Sequence, residues 1–140
     1  MYMQKKSTRR SFIQKSALAG AGISLLPSST LFSNDKENRA RLGFIGVGLR
    51  GQSHLELALR RDDVDVVAIC DIQERMINMS KDLVKKSGKP MPQVILDGPF
   101  GYKRLLESRD IDAVIISTPW EWHTVMCLDA MNARKYVGCE

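Results

Sequence analysis

The sequence predicts an α/β fold with a doubly wound parallel sheet, and two observations support this. Apolar runs such as 64–70 (VDVVAIC) and 113–117 (AVIIS) are nearly continuous, whereas a strand with one face in water alternates. Segments with helical spacing of apolar residues separate these runs. Helices between buried strands indicate parallel crossovers, which bring the loops after the strands to one edge of the sheet, where ligands bind.

Each element follows from its local pattern. The predicted strands lie at 42–47, 64–70, 93–96, 113–117 and 136–139, and the first helix at 48–61. In the second helix the apolar residues recur at helical spacing, and the Ser-Gly-Lys-Pro run at 87–90 ends it; these residues are Ile72, Met76, Met79 and Leu83. Two further helices are predicted at 102–108 and 121–134.

Composition narrows the class of protein. The chain has 140 residues, about one domain, and 44% of them are hydrophobic. Its net charge is +5, and five basic residues before position 34, where there is no acidic residue, account for all of it. The rest of the chain is therefore neutral, and nucleic acid is not an expected partner. No run reaches the ~20 apolar residues of a membrane span.

The chain has three cysteines, and no two of them form a C-x-x-C pair, so the sequence predicts neither a disulfide framework nor a metal site. We interpret the cysteines as buried small side chains rather than as reactive thiols.

The chain divides into three segments: 1–33, a linker at 34–40, and a folded domain at 41–140. The run Thr8 to Ile13 (TRRSFI), followed by a weakly apolar stretch, resembles a twin-arginine export signal. That resemblance implies the twin-arginine export machinery as a partner, a periplasmic location, and a cofactor loaded before export. No Ala-x-Ala cleavage site is present, and a disordered basic tail is the alternative.

A glycine motif follows the first predicted strand. Gly46, Gly48 and Gly51 form G-x-G-x-x-G at the start of a helix, and Asp71 ends the next strand, 20 residues later. The glycines permit a tight turn, approach of a pyrophosphate and close helix packing, while the acid would bind an adenosine ribose hydroxyl and repel a 2′-phosphate. This pattern predicts a Rossmann domain that binds NAD rather than NADP. A turn without a ligand, and a helix N-cap role for Asp71, are the alternatives.

The segment after the fourth strand narrows the family. Thr118-Pro119-Trp120-Glu121-Trp122-His123 and the strand ending in Glu140 look like the nucleotide-binding half of the glucose-fructose oxidoreductase, inositol dehydrogenase and rhizopine catabolism (Gfo/Idh/MocA) family. The Trp-Glu-Trp-His run, with FIGVGLRG at 44–51, is similar to the NAD-dependent α-N-acetylgalactosaminidases of glycoside hydrolase family 109. This resemblance covers about 100 residues.

The resemblance implies roles for individual residues. It places Leu49 and Arg50 at the cofactor pyrophosphate, residues 120–123 on the nicotinamide side, and Glu140 near the nicotinamide ribose. From the residues alone other roles stay open. Arg50 is either a phosphate clamp or solvated, Trp120 and Trp122 could close the core, Glu121 suits any first helical turn, and His123 could be a structural imidazole. His54 is interpreted as a surface residue.

The resemblance also implies a function. The family's glycosidases remove a hydride from the sugar C3 with NAD, eliminate the group at C1, add water and return the hydride, in contrast to glycosidases with two carboxylates. The catalytic base and acid are expected beyond residue 140, in a second α+β substrate domain, so the 140-residue chain is predicted to be a truncated Rossmann domain without turnover. The full-length protein is expected to be a homo-oligomer acting on a glycoside or sugar. A sugar or inositol dehydrogenase releasing NADH and a non-catalytic NAD-binding protein are the alternatives.

Overall fold

Five strands and four helices alternate along residues 39–140, the part of the chain that the computed structural model describes. The strands are β1 (Ala40–Ile45), β2 (Val64–Cys70), β3 (Gln93–Ile95), β4 (Ala113–Ile116) and β5 (Tyr136–Cys139). The helices are α1 (Leu49–Leu59), α2 (Glu74–Ser87), α3 (Gly101–Glu107) and α4 (Trp120–Asn132), with a 3-10 turn at Gly98–Phe100 before α3. The predicted export signal at 1–33 lies outside the described residues.

All five strands run parallel in the order β3-β2-β1-β4-β5. The strand order reverses between β1 and β4, which pair side by side with Phe44 opposite Ile115. Such a reversal opens a crevice at the carboxyl ends of the strands, and it is where ligands bind in open α/β sheets. The predicted doubly wound sheet is confirmed.

Apolar residues cover both faces of the sheet. On one face the strands pack against α1 and α2 through a cluster that includes Phe44, Leu55 and Ile77. On the other face they pack against α3 and α4 through a cluster that includes Ile45, Tyr102 and Met126. Burial on two faces explains why the strands of this sheet carry nearly continuous apolar sequences.

The buried face of α2 differs from the stripe expected from the sequence. Ile77, Ser80 and Val84 are its buried residues, whereas Met79 is 40% exposed and Ile72, 64% exposed, precedes the helix. The expected apolar residues and the buried ones recur at the same helical spacing and lie on neighbouring faces of α2. Periodicity alone therefore does not show which of the two faces is buried. Ser80 can occupy the core face because its hydroxyl has two partners there: it accepts a hydrogen bond from Gln52 of α1 (Nε2 to Oγ 2.8 Å) and donates one to the Met76 carbonyl oxygen of α2 (2.9 Å).

Smaller differences occur at the ends of the elements. β1 begins at Ala40 and ends at Ile45, two residues ahead of the predicted strand at both ends. Its start is held by the Ala40 N–H, which donates to the Asp63 carbonyl oxygen at 3.0 Å. Of the three cysteines only Cys70 is buried, while Cys127 is half-buried and Cys139 exposed, so the prediction of buried thiols was right for one. No helix within 39–140 combines the length and apolarity needed to cross a membrane.

Candidate functional site

A cleft of 450 Å³ opens at the carboxyl edge of the sheet, beside the reversal of strand order. Four segments form it: the glycine turn after β1 and the segments after β2, β3 and β4, with Gly98, Pro99 and Tyr102 supplied by the one after β3. Of the predicted site residues, five line it: Gly46, Gly48, Leu49, Asp71 and Trp122. Because these loops come from distant parts of the chain, the parallel sheet brings the two halves of the predicted site together.

The three glycines of the turn differ in their surroundings. Gly46 has φ +82°, and a Cβ there would lie 2.8 Å from the Ser117 carbonyl oxygen. A Cβ on Gly51 would overlap the Gly46 carbonyl oxygen, so α1 packs directly on the turn. Around Gly48 there is nothing within 4 Å of such a Cβ. The first and third glycines are therefore explained by the protein's own backbone, and the second faces the open cleft.

The amino end of α1 is suited to an anion. Gly48 is the N-cap and supplies no side-chain hydrogen bond, and no acidic residue lies in the first turn. The first backbone N–H groups of a helix lack intrahelical partners and carry a partial positive charge. A phosphate group entering over Gly48 would meet these donors, and this arrangement fits the pyrophosphate of a dinucleotide.

Asp71 is held by two backbone groups. Its Oδ2 accepts a hydrogen bond from the Val47 N–H (2.7 Å) and its Oδ1 from the Gln73 N–H (2.8 Å). The N-cap of α2 is Gln73, so Asp71 does not occupy the N-cap position suggested as an alternative. A carboxylate has about four acceptor positions, so the half-buried Asp71 retains capacity for ribose hydroxyls.

The floor of the cleft carries two groups that stay neutral. Burial, followed by the charge of Asp71, raises the pKa of the Cys70 thiol to about 12. Burial and a 2.7 Å hydrogen bond to Asp129 raise the pKa of Tyr102 to about 12. Because the thiolate is the nucleophilic form, Cys70 is suited to packing rather than to covalent chemistry. Within residues 39–140 no three His, Cys, Asp or Glu side chains converge as a metal site would require.

The segment after β4 separates its two tryptophans. Trp122 lines the cleft and packs edge-on against Phe100, with ring centroids 5.9 Å apart. Trp120 is 89% exposed and does not line the cleft, and Glu121 is also exposed. His123 Nε2 lies 2.7 Å from the Thr118 carbonyl oxygen. Since a carbonyl only accepts, Nε2 carries the proton and His123 fixes the backbone of the loop.

Glu140 lies at the end of β5 beside α1 rather than in the cleft. Its carboxylate pairs with the Arg50 guanidinium, and His54 Nε2 lies 2.7 Å from Oε2, although this last contact is not aligned as a hydrogen bond. Arg50 therefore forms an ion pair with Glu140, a partner that the sequence analysis did not propose for it. His54, interpreted from the sequence as a surface residue, is half-buried in this group. His54 lies four residues after Arg50, so both side chains are on the same face of α1. This spacing is the sequence signal that could have grouped the two residues.

Gln52 is a further residue beside the glycine turn that the sequence motifs did not indicate. It is 9% exposed and bonds to the turn and to α2 through its amide nitrogen. The sequence signal that could have identified it is a glutamine directly after the last glycine of the motif, where α1 packs on the sheet. A polar side chain at such a position requires a hydrogen-bond partner.

Comparison with known proteins gives the family. The model of an oxidoreductase family with an NAD-binding Rossmann fold matches residues 40–140. A glycosyl hydrolase family 109 protein from Stenotrophomonas maltophilia is 46% identical over 134 residues, 94% of this chain and 29% of the relative. An α-N-acetylgalactosaminidase from Shewanella oneidensis is 42% identical over 100 residues, 71% of this chain and 22% of the relative. The chain thus spans less than a third of these relatives.

Solved structures agree in fold. Myo-inositol 2-dehydrogenase from Lactobacillus plantarum superposes with a TM-score of 0.60 at 27% identity, covering 72% of this chain and 27% of that one. Scyllo-inositol dehydrogenase from Lactobacillus casei, with bound NAD(H) and scyllo-inositol, gives 0.60 at 22% identity, covering the same shares of the two chains. The cofactor predicted from the sequence, NAD, is confirmed by the family match. The chain belongs to the Gfo/Idh/MocA oxidoreductase family, whose NAD-binding Rossmann fold spans residues 40–140.

Proposed function

We propose that the full-length protein is an NAD-dependent glycosidase of the α-N-acetylgalactosaminidase type, and that residues 40–140 hold its cofactor. The open space over Gly48, between the free donors of α1 and the carboxylate of Asp71, is the observation that supports cofactor binding. The glycosidase assignment is supported by 46% identity to a family 109 protein over nearly the whole chain, against 27% or less for the inositol dehydrogenases named above.

The residues of this chain would bind and orient the cofactor. The turn at Gly46–Gly48 and the start of α1 would hold the pyrophosphate, and Asp71 would accept from the adenosine ribose. Trp122 and the Thr118 backbone, fixed by His123, would form the wall on the nicotinamide side. NAD would supply a hydride acceptor and then a donor, so that no net oxidation of the sugar results. The base and acid are proposed to lie beyond residue 140.

The function is tested with full-length protein and p-nitrophenyl α-N-acetylgalactosaminide, without added NAD. Release of p-nitrophenol over many turnovers, with no accumulation of NADH when the nucleotides are separated by chromatography, is the expected result. It follows because a cofactor that is regenerated in each cycle needs no external supply. Protein stripped of nucleotide and supplied again with NAD serves as the control, since activity should disappear and return.

A dehydrogenase is the second candidate, supported by the similarity of the fold to inositol dehydrogenases. In that case sugars or inositols would be oxidised only with stoichiometric NAD, and NADH would accumulate. Binding of NAD with neither glycoside cleavage nor hydride exchange would instead indicate a non-catalytic NAD-binding protein. Glycoside cleavage, NADH accumulation and NAD binding, all measured on one preparation, distinguish these three outcomes.

We also propose export through the twin-arginine route, on the Thr8-Arg9-Arg10-Ser11-Phe12 pattern. Residues 1–38 fused to a reporter that folds in the cytoplasm should direct it to the periplasm. Replacing both Arg9 and Arg10 by Lys should abolish transport, whereas replacing Lys5 and Lys6 by Arg should not. Transport of the Arg9→Lys, Arg10→Lys fusion would contradict this proposal.

A further inference from the structure

Gln52 contacts two regions of the nucleotide cleft that are far apart in sequence. It lies in the first turn of α1, and its Nε2 donates to the Val47 carbonyl oxygen at 2.8 Å. The same nitrogen lies 3.0 Å from the Met76 carbonyl oxygen and 2.8 Å from Ser80 Oγ on α2. Ser80 Oγ in turn donates to the Met76 carbonyl at 2.9 Å. One amide group therefore connects the glycine turn with the helix that follows Asp71.

Val47 is held from both sides by this arrangement. Its N–H donates to Asp71 Oδ2 at 2.7 Å, and its carbonyl accepts from Gln52. In a trans peptide the C=O and the following N–H point in opposite directions. Because Gln52 draws the Val47 carbonyl toward α2, the Gly48 N–H of the same peptide unit faces away from Gln52. The open side of Gly48 is where a phosphate would approach.

Packing alone does not explain an amide at this position. Gln52 is 9% exposed, and its Oε1 is buried without a hydrogen-bond partner among the described residues. An unpaired buried acceptor is unfavourable, and an apolar side chain of equal length would fill the same volume without it. The donors of the amide are fully used, by the Val47 carbonyl and the partners on α2. The role of the side chain is therefore to hold backbone carbonyls.

We propose that Gln52 is a positioning residue for cofactor binding: by fixing the Val47–Gly48 peptide, it presents the Gly48 N–H to the pyrophosphate without touching the nucleotide. This inference rests on the proposed function, because it assumes that the cleft holds NAD. It predicts that loss of the amide weakens ligands that contain a pyrophosphate, beyond any effect on folding.

The test compares Gln52→Met with Gln93→Met in the full-length protein. The first replaces the amide by an apolar chain of similar length, and the second makes the same change at an exposed position of β3. On protein stripped of nucleotide, Kd is measured by calorimetry for NAD and for ADP-ribose, together with Tm and the NAD concentration that restores half of the glycosidase activity. We expect Gln52→Met to raise both Kd values and this concentration about tenfold, as for loss of one well-placed hydrogen bond, while kcat for the glycoside at saturating NAD is retained. Gln93→Met should match the wild type.

Other outcomes separate the proposed role of Gln52 from the proposed function of the protein. A lowered Tm with unchanged Kd for both ligands would show that Gln52 only ties α1 to α2, and the inference would be overturned while the proposed function stands. Absence of NAD binding by the wild-type protein would overturn the proposed function itself. If Gln52→Met does not fold, Gln52→Asn is measured in the same way, because its shorter amide cannot reach both Val47 and α2; unchanged Kd values there would also overturn the inference.

Discussion

The two walls of the cleft are built by different means. On the β1 side, backbone contacts determine the turn, because two of its glycines lie where a Cβ would meet the chain itself. On the β4 side, the wall depends on side chains: Trp122 against Phe100, and His123 against the Thr118 carbonyl. Rigid backbone is suited to a diphosphate, which is the same in every dinucleotide, whereas the wall that we propose for the nicotinamide side consists of side chains, which can differ between related proteins.

The largest effect is expected on the backbone wall. Gly51→Ala places a Cβ against the Gly46 carbonyl oxygen, which has no flexible side chain to move away. We expect the free energy of unfolding of the full-length protein to fall by about 3 kcal/mol, with loss of NAD binding. Chemical denaturation and calorimetry measure the two quantities.

Gly48→Ala is the matched control for this substitution. Its Cβ would meet nothing within 4 Å, and its φ of −63° is normal for alanine, so stability should change by less than about 1 kcal/mol. NAD affinity should still fall, since the new methyl group enters the ligand's space. Equal destabilisation by the two variants would show that the glycines do not differ as described.

On the side-chain wall we expect a smaller effect. Trp122→Ala removes a half-buried ring that packs against Phe100 and the core, and should cost about 2 kcal/mol of stability. Trp120→Ala changes a side chain that is 89% exposed and should stay within about 0.5 kcal/mol of wild type. Thermal unfolding of both variants measures the difference, and a larger loss for Trp120→Ala would reverse the assignment of the two rings.

Asp71→Asn should weaken NAD binding about tenfold, because the amide loses the charge and one of the two acceptors that the backbone N–H groups use. The preference for NAD over NADP should also decrease, since no carboxylate repels the 2′-phosphate. Binding of both nucleotides is measured by calorimetry, with Asp82→Asn on the exposed surface of α2 as the control. An unchanged ratio of the two affinities would contradict the role of Asp71.

The smallest effect is expected at the opposite edge of the sheet. Hydrogen bonds from the Arg41 side chain and N–H hold the pKa of Asp112 below its usual value. A lowered folded-state pKa contributes stability above the unfolded pKa near 4, and this contribution is lost as pH falls through the folded value. Because the pair is partly exposed, we expect about 1 kcal/mol or less. Asp112→Asn should remove this part of the acid sensitivity below about pH 4 in denaturation curves, with NAD binding unchanged.

The fold was predictable because its signals are local. Continuous apolar strands, helices between them and glycines at a strand-to-helix turn predicted the order of elements and the edge where the site lies. The buried face of α2 was not predictable in this way. Ser80 rather than Met79 lies in the core, where its hydroxyl donates to the Met76 carbonyl of its own helix and accepts from Gln52, 28 residues away. The positions of Trp120 and Trp122 were also left open by the sequence. Two residues with one residue between them lie on nearly opposite sides of a helix, about 200° apart, so one ring faces the core and the other faces solvent, and the local pattern does not decide which.

The sequence by itself determined which conformations the backbone could adopt near each glycine and which segments had to be buried, because these depend on residues within a few positions. Only the tertiary structure decided which side chains meet. Asp71 reaches the Val47 N–H across 24 residues, and Glu140 reaches Arg50 across 90. Such pairs depend on strand order and on how each helix rotates against the sheet, and these follow from the packing of the whole domain rather than from any local pattern.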